Sequence, residues 1–127
     1  MLSEINKADI VAEVRAVFDR YNAALNANDV EQLNDFFWRS PTTVRFGPGE
    51  NLHGYEEISQ FRSKKWTGGK PRQQISVTIN TVGRNSAATS AIFEREGEQA
   101  FIRQSQFWAR LPEGWRIVAA HVSLLKK

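Results

Sequence analysis

The chain has 127 residues, of which 41% are hydrophobic and 24% charged, and its formal net charge is +3. This length and balance suit one domain with a single core over residues 1–127, and the modest charge argues against a nucleic-acid partner. The absence of cysteine excludes disulfides, thiolate metal sites and a cysteine nucleophile. The N-terminus is acidic where a secretory signal is basic, and no apolar run matches a membrane span, so we expect a cytoplasmic protein with no membrane partner.

Hydrophobic periodicity predicts two helices in the first 40 residues. From residue 7 to about residue 27, apolar side chains recur at three- and four-residue steps on one face: Ile10, Val14, Val17, Phe18, Tyr21 and Leu25. Asp29 and Gln32 form a capping box, which predicts a second, shorter helix. We expect that helix to bury Leu33, Phe36 and Phe37, and to end at the Ser-Pro pair at positions 40 and 41.

The middle of the chain predicts a short strand pair followed by a third helix. The segment TTVRF at 42–46 predicts a strand, GPGE a turn, and residues 51–53 a return strand. The following segment, YEEISQFRSKKW, predicts a helix with Ile58, Phe61 and Trp66 inward. In the first strand of the pair, alternation places Arg45 with Thr43 and Gly47 on one face, opposite Val44 and Phe46.

Four long strands are predicted after residue 71. They cover residues 73–82, 87–94, 101–110 and 115–125, with the last two joined by the turn LPEG. In the last strand, strict alternation places five residues on one face: Trp115, Ile117, Ala119, His121 and Ser123. Neither face is simply polar, so we expect helices or a cavity on one side and more protein on the other. Helices that precede a strand meander predict an α+β fold.

The strands carry more apolar residues than one small pocket needs. The residues concerned are Val44, Phe46, Ile102, Phe107 or Trp108, Val118 and Val122. A sheet-to-sheet contact between two copies would cover the surplus, so the pattern predicts a homodimer through the outer face of the sheet.

This order of elements resembles the cone-shaped α+β barrel of ketosteroid isomerase, scytalone dehydratase and the SnoaL-like polyketide cyclases. The signals are the Tyr-bearing first helix, the LHG segment before the third helix, and GWRIVAAHVS in the last strand. The resemblance covers the whole chain and implies three N-terminal helices packed in a strongly curved, mixed or antiparallel sheet that leaves a pocket. That scaffold hosts enzymes and non-enzymes alike.

A narrower resemblance comes from VRFGPGENLHGYEEISQFR together with AAHVS. These segments are similar to the AtzH-like family, which includes the HpxZ-type proteins associated with oxalurate catabolism. The resemblance implies a small cofactor-independent hydrolase that acts on a C–N bond of a carboxylated urea, such as a 1,3-dicarboxyurea-like anion. The alternative is a non-catalytic binding or accessory protein for oxalurate-like anions or for a partner amidase.

Tyr21 and Arg45 are the candidate catalytic residues. Tyr21 lies in the apolar stripe of the first helix, and a tyrosine at about this place in ketosteroid-isomerase-like proteins donates to a developing oxyanion. The alternative for Tyr21 is a core residue bonded to a backbone carbonyl. Arg45 is expected to hold a substrate carboxylate, because a buried guanidinium needs an anion. The alternative for Arg45 is a salt bridge to Asp35 or Glu50.

Four further residues are candidate substrate contacts, with core packing or a surface role as the competing explanation for each. They are Trp38 where the pocket should open, Arg72 as a second anion contact, Gln106 for a urea-like carbonyl, and His121 as a base or donor. Trp108 is a further secondary candidate, and Arg62 is expected either at the rim or in solvent. The two histidines lack ligand spacing, so we expect no metal. No general base is apparent, which argues against proton-abstracting isomerase chemistry.

Overall fold

A computed structural model gives the fold and describes residues 4–65 and 70–127. The helices are α1 (Ala8–Asn26), α2 (Val30–Asp35) and α3 (Tyr55–Lys65). The strands are β1 (Val44–Phe46), β2 (Asn51–His53), β3 (Gln73–Val82), β4 (Ser86–Glu94), β5 (Ala100–Leu111) and β6 (Gly114–Lys126). The predicted α+β class is confirmed. The predicted inward position of Trp66, and the loop residues 67–69, lie outside the described residues.

The described strands form one mixed sheet in the order β2-β1-β6-β5-β4-β3. β1 pairs parallel to β6, with Arg45 opposite Ala120, and the other pairs are antiparallel. This parallel pair joins a short strand between the helices to the last strand of the chain. It places Arg45 beside the centre of β6 rather than at the edge of the sheet. Within the described ranges, no helix has the length and apolar character needed to cross a bilayer.

One face of the sheet, here called the inner face, packs against the helices. The buried residues of α1 are Ile10, Val14, Val17, Phe18, Tyr21, Ala24 and Leu25, which include every residue of the predicted stripe. All of them except Phe18 share a core with residues from the sheet, among them Ile79, Trp108 and Ile117. Phe18 packs in a second cluster with Ala91, Phe93 and Ile102. Each large apolar side chain buried in this way contributes roughly 1.5–3 kcal/mol to the stability of the fold.

The second helix begins as predicted but ends early. The Asp29 carboxylate accepts a hydrogen bond from the backbone N–H of Gln32 at 3.1 Å, which caps α2. The helix ends at Asp35, five residues before the expected Ser-Pro boundary. The reason is tertiary: Ile117 of β6 donates to the Phe36 carbonyl at 2.7 Å, and the Trp38 amide donates to the Ile117 carbonyl at 3.0 Å. These strand-like bonds replace the continuation of the helix.

A bulge in β6 changes which residues face inward. Phe107 of β5 pairs with Ala119, but the next residue, Trp108, pairs with Ile117, so Val118 is an extra residue. Trp115 and Ile117 are buried before the bulge, and Ala120 is buried after it, whereas Ala119 and His121 are exposed. The prediction that Trp115, Ile117, Ala119, His121 and Ser123 share one face is therefore wrong, because one additional residue inverts the alternation.

The same pattern corrects the apolar surplus expected on the outer face. Ile102 and Trp108 are buried on the inner face, and Val122 lines the inner cavity described below. Phe107 is 48% exposed on the outer face. There it lines a groove of about 360 Å³ with Val44, Phe46, Ala119 and His121, among others. The outer face is thus apolar, but with fewer large residues than the sequence suggests.

Candidate functional site

A cavity of about 160 Å³ lies among α1, α3, β1 and the inner faces of β5 and β6. Its polar lining residues are Tyr21, Arg45, Arg62, Arg72, Arg95 and Gln104. Its apolar lining comes from Leu25, Pro48, Ile102, Val122 and Leu124. Drug-sized ligands occupy cavities of about 300–1,000 Å³, so this cavity suits a small molecule. All the charged lining residues in the described part of the chain are arginines.

Tyr21 and Arg62 form the centre of the site. Both side chains are 2% exposed, and Arg62 Nη2 donates to the Tyr21 hydroxyl oxygen at 3.0 Å. Edge-on contacts with Phe36, Phe37 and Trp108 fix the phenol ring, with centroid distances of 5.6, 6.3 and 6.4 Å. Because the Tyr21 oxygen accepts from Arg62, its own O–H can donate to a ligand.

The surrounding charges make Tyr21 more acidic than an ordinary phenol. Burial by itself raises the pKa of Tyr21, but the positive charges of Arg62, Arg45 and Arg72 together outweigh burial and hold the pKa below its usual value. A more acidic phenol is a stronger hydrogen-bond donor to an oxygen that gains negative charge. The local electrostatics therefore favour anionic or polarised ligands next to Tyr21.

Arg45 reaches the cavity from β1 and is loosely paired. Its side chain is 13% exposed, and Nη1 lies 3.6 Å from Glu50 Oε1. That distance is too long for a hydrogen bond, and Nη1 is buried without one to any described residue. Burial lowers the pKa of Arg45, with the neighbouring charge of Arg62 acting in the same direction. A bound anion would supply the missing acceptor.

Arg72 is held rigidly from three sides. Its Nη2 donates to Asn22 Oδ1 at 2.9 Å and to Gln104 Oε1 at 3.3 Å, and its guanidinium lies 3.7 Å from the centroid of the Phe93 ring. The backbone N–H of Arg72 donates to Asn26 Oδ1 at 3.1 Å. Burial lowers the pKa of Arg72 to about 10, so the side chain stays charged at neutral pH. These contacts position a cation before any ligand arrives.

The site therefore concentrates positive charge in a partly dehydrated space. Removing a guanidinium from water is costly unless an anion compensates it. The charge of Glu50 compensates that of Arg45 in part. Arg72 has only neutral partners here, because it donates to the side-chain amide oxygens of Asn22 and Gln104. Arg95 adds a fourth positive charge at the edge of the cavity, where its Nε donates to the Lys70 carbonyl at 2.9 Å. A small anion, held by paired guanidinium N–H groups, fits this charge distribution.

The structure brings three of the six predicted site residues into the cavity lining: Tyr21, Arg45 and Arg72. Gln106 is buried on the inner face, but its Oε1 accepts from Thr89 at 3.2 Å and it does not line this cavity. Trp38 is half-buried and is also absent from the lining. His121 is exposed on the outer face because of the bulge at Val118. The roles of all six remain predictions.

Three lining residues were missed or misplaced by sequence reasoning. Gln104 faces inward like Gln106, and only the position of the cavity along β5 decides between them. The sequence predicts Arg62 at the rim or in solvent, whereas the structure buries it against Tyr21. Arg95 follows β4 in a turn, and no periodic signal marks it.

The fold matches known structures of the ketosteroid-isomerase-like kind. A putative ketosteroid isomerase from Parabacteroides distasonis ATCC 8503 superposes with a TM-score of 0.71 at 16% identity, covering 87% of this chain and 86% of that chain. At such low identity the likeness shows the fold alone. Together with the helices on the inner face of the sheet, it places the protein in the NTF2-like, cystatin-like class of cone-shaped α+β folds.

Closer matches define the family within that class. A model of the AtzH-like family matches residues 3–127, so the chain belongs to the AtzH-like family. A protein of unknown function from the DUF3225 family of Pectobacterium atrosepticum SCRI1043 is 46% identical, with a TM-score of 0.95 and coverage of 99% of this chain and 98% of that chain. A cystatin-like fold protein from Burkholderia xenovorans LB400 is 43% identical, with a TM-score of 0.93 and 98% coverage of both chains. A search of curated proteins finds no match.

Proposed function

We propose that the protein is a small cofactor-independent hydrolase that cleaves a C–N bond in a small carboxylated urea, of the kind met in ureide or oxalurate breakdown. The observation that carries this proposal is the buried Tyr21–Arg62 pair in a 160 Å³ cavity that Arg45 and Arg72 also line. Such a ligand joins one or two carboxylates to a polar carbonyl. The arginines suit the carboxylates, and the phenol suits the carbonyl oxygen.

The proposed mechanism divides binding and activation between these residues. Arg45 and Arg72 bind carboxylate groups and orient the ligand, and orientation by itself contributes strongly to rate. The Tyr21 O–H donates to the carbonyl oxygen, and this bond strengthens as water adds and the oxygen becomes an oxyanion. The charge of Arg62, 3.0 Å from the Tyr21 oxygen, stabilises the same intermediate. The N-carboxylated product then loses carbon dioxide unaided.

A second function, from a different class, is also supported by an observation. Among its described lining residues, the cavity carries no carboxylate and no imidazole to deprotonate water. That composition favours a protein that binds an oxalurate-like anion without converting it, or that assists a partner amidase. The two functions share the ligand class and differ in turnover.

The deciding experiment measures ammonia and carbon dioxide release from oxalurate and from N-carboxylated ureas. We expect Tyr21→Phe to lower kcat about 100- to 1,000-fold, as loss of one oxyanion donor does. We expect Arg45→Ala to lower kcat/KM about 100-fold or more, because a buried charge contact is lost. Matched controls are Tyr55→Phe and Arg39→Ala, since both residues lie outside the cavity lining.

Each outcome discriminates between the functions. Turnover that falls in both site variants and persists in both controls supports the hydrolase. Calorimetric binding of oxalurate by the wild type, without turnover of any compound tested, supports the binding protein. Equal turnover in wild type and both site variants would place the active site elsewhere.

A further inference from the structure

The turn between β1 and β2 carries a carboxylate that folds back onto the chain. Gly47 and Glu50 close the turn through a hydrogen bond from the Gly47 amide to the Glu50 carbonyl at 2.9 Å. The Glu50 side chain lies over Gly47 so closely that a Cβ added there would clash with Oε1. Pro48 of the same turn lines the cavity. Glu50 therefore stands at the wall of the cationic cavity, although it is not itself a lining residue.

The contact between Glu50 and Arg45 is a long ion pair. The atoms Arg45 Nη1 and Glu50 Oε1 are 3.6 Å apart, and the two side chains are 13% and 19% exposed. A tightly bonded arginine–carboxylate pair forms hydrogen bonds of about 2.7–2.9 Å, frequently two in parallel. This carboxylate is thus held near Arg45 by charge, yet neither group is locked to the other. A new partner for either group displaces only this long ion pair.

We infer that Glu50 is the general base of the site, an inference that rests on the proposed hydrolase function. When a substrate carboxylate binds the N–H groups of Arg45 Nη1, the Glu50 carboxylate is released to accept a hydrogen bond from water. The turn holds it at the wall of the cavity beside the bound anion. This supplies the group that the cavity lining lacks.

The step balances with water as the only co-reactant. Glu50 takes one proton from water as the water oxygen forms a bond to the urea carbonyl carbon, and the carbonyl electron pair moves to the oxygen that Tyr21 and Arg62 stabilise. As the carbonyl re-forms, the C–N bond breaks and its electrons go to nitrogen. The protonated Glu50 returns its proton to that nitrogen, which restores the carboxylate and releases the amine-side product.

The test separates catalysis from binding with two variants of the turn. Glu50→Gln keeps the size of the side chain and removes its basicity. Gly47→Ala keeps the carboxylate but displaces it, because the new methyl group occupies its position. The displaced atoms are the end of a flexible side chain, so the fold should tolerate the change. Glu113→Gln, in the exposed turn between β5 and β6, is the matched control for loss of one negative charge.

We expect Glu50→Gln to lower kcat for oxalurate or an N-carboxylated urea at least about 100-fold, the scale of a lost general base. Calorimetric affinity for malonate, a dicarboxylate with no C–N bond to cleave, should stay equal or become tighter, because a competing carboxylate is gone. Gly47→Ala should lower kcat with malonate affinity retained, and Glu50→Asp should recover part of the activity. Glu113→Gln should match the wild type in both measurements.

The inference is overturned if Glu50→Gln keeps kcat within threefold of the wild type while malonate binding tightens, since Glu50 would then be only a counter-ion of Arg45. Loss of malonate binding in Glu50→Gln, with an unchanged circular dichroism spectrum, also overturns it, because the role would be structural. Failure of the proposed function is seen separately, in the wild type: absence of turnover there overturns both.

Discussion

At the scale of single residues, the main feature is a phenol whose acidity is set by arginines that the chain brings from distant segments. Tyr21 comes from α1, Arg45 from β1, Arg62 from α3, and Arg72 from the segment before β3. Near neutral pH the arginines are charged and the phenol is not, and this combination gives the site its largest positive potential. Ionisation of Tyr21 would add a negative charge at the centre and reduce that potential.

Anion affinity should therefore fall as pH rises. The pKa of Tyr21 is lowered, so the tyrosinate forms at a lower pH than in an ordinary phenol, and malonate must then bind beside a negative charge. By linkage, bound malonate must raise the pKa of Tyr21. In Tyr21→Phe this loss of malonate affinity should vanish. What remains is the loss of affinity caused by deprotonation of Arg72, whose pKa is about 10.

Calorimetry with malonate between about pH 7 and pH 10 measures the pH dependence of anion affinity. Ultraviolet absorbance of tyrosinate over the same range follows the ionisation of Tyr21. The chain has two tyrosines, so Tyr55→Phe isolates the signal of Tyr21 and serves as the control. Parallel pH profiles for wild type and Tyr21→Phe would contradict the proposed electrostatic role of the phenol.

At the scale of the elements, most boundaries follow from local patterns, whereas the inward faces do not. The 3.6-residue stripe predicts α1, and the alternation and turns predict β3 with its bounds at residues 73 and 82. Nothing local in GWRIVAAHVS marks Val118 as an extra residue, because the bulge arises from pairing with Phe107 and Trp108 of β5. Tyr21 and Arg45 were predictable, since their faces lie before any such irregularity; His121 was misplaced because it follows one.

The bulge should matter for stability. Deleting Val118 would invert the remainder of β6, which would turn Ala120 and Val122 out and His121 in, or would force a new register. We expect a loss of about 2 kcal/mol or more in the free energy of unfolding, comparable to a large core truncation. Val118→Ala keeps the extra residue and should cost about 1 kcal/mol or less. Urea denaturation followed by circular dichroism measures both, and equal stability of the two variants would show that the bulge is dispensable.

At the scale of the whole molecule, the main feature is the exposed apolar groove on the outer face of the sheet. It carries the groove of about 360 Å³ lined by Phe46, Phe107 and His121, and Phe107 is 48% exposed. The outer face carries fewer large apolar residues than the sequence suggests, but they form one continuous surface across β1, β6 and β5. A two-fold contact of this face with its own copy would bury Phe107 of both chains at once, so we retain the prediction of a homodimer.

Light scattering coupled to size-exclusion chromatography should give twice the chain mass of 14.5 kDa at micromolar concentration. Phe107→Asp should shift the protein toward the monomer, because two charges would be buried near the two-fold axis without a partner. Val82→Asp is the control: Val82 is 60% exposed at the end of β3, outside the groove, and its variant should keep the dimer mass. A monomeric wild type would contradict the prediction. It would also leave the inner cavity unaffected, because the cavity lies on the opposite face of the sheet. Oligomeric state and anion binding can therefore be tested independently of each other.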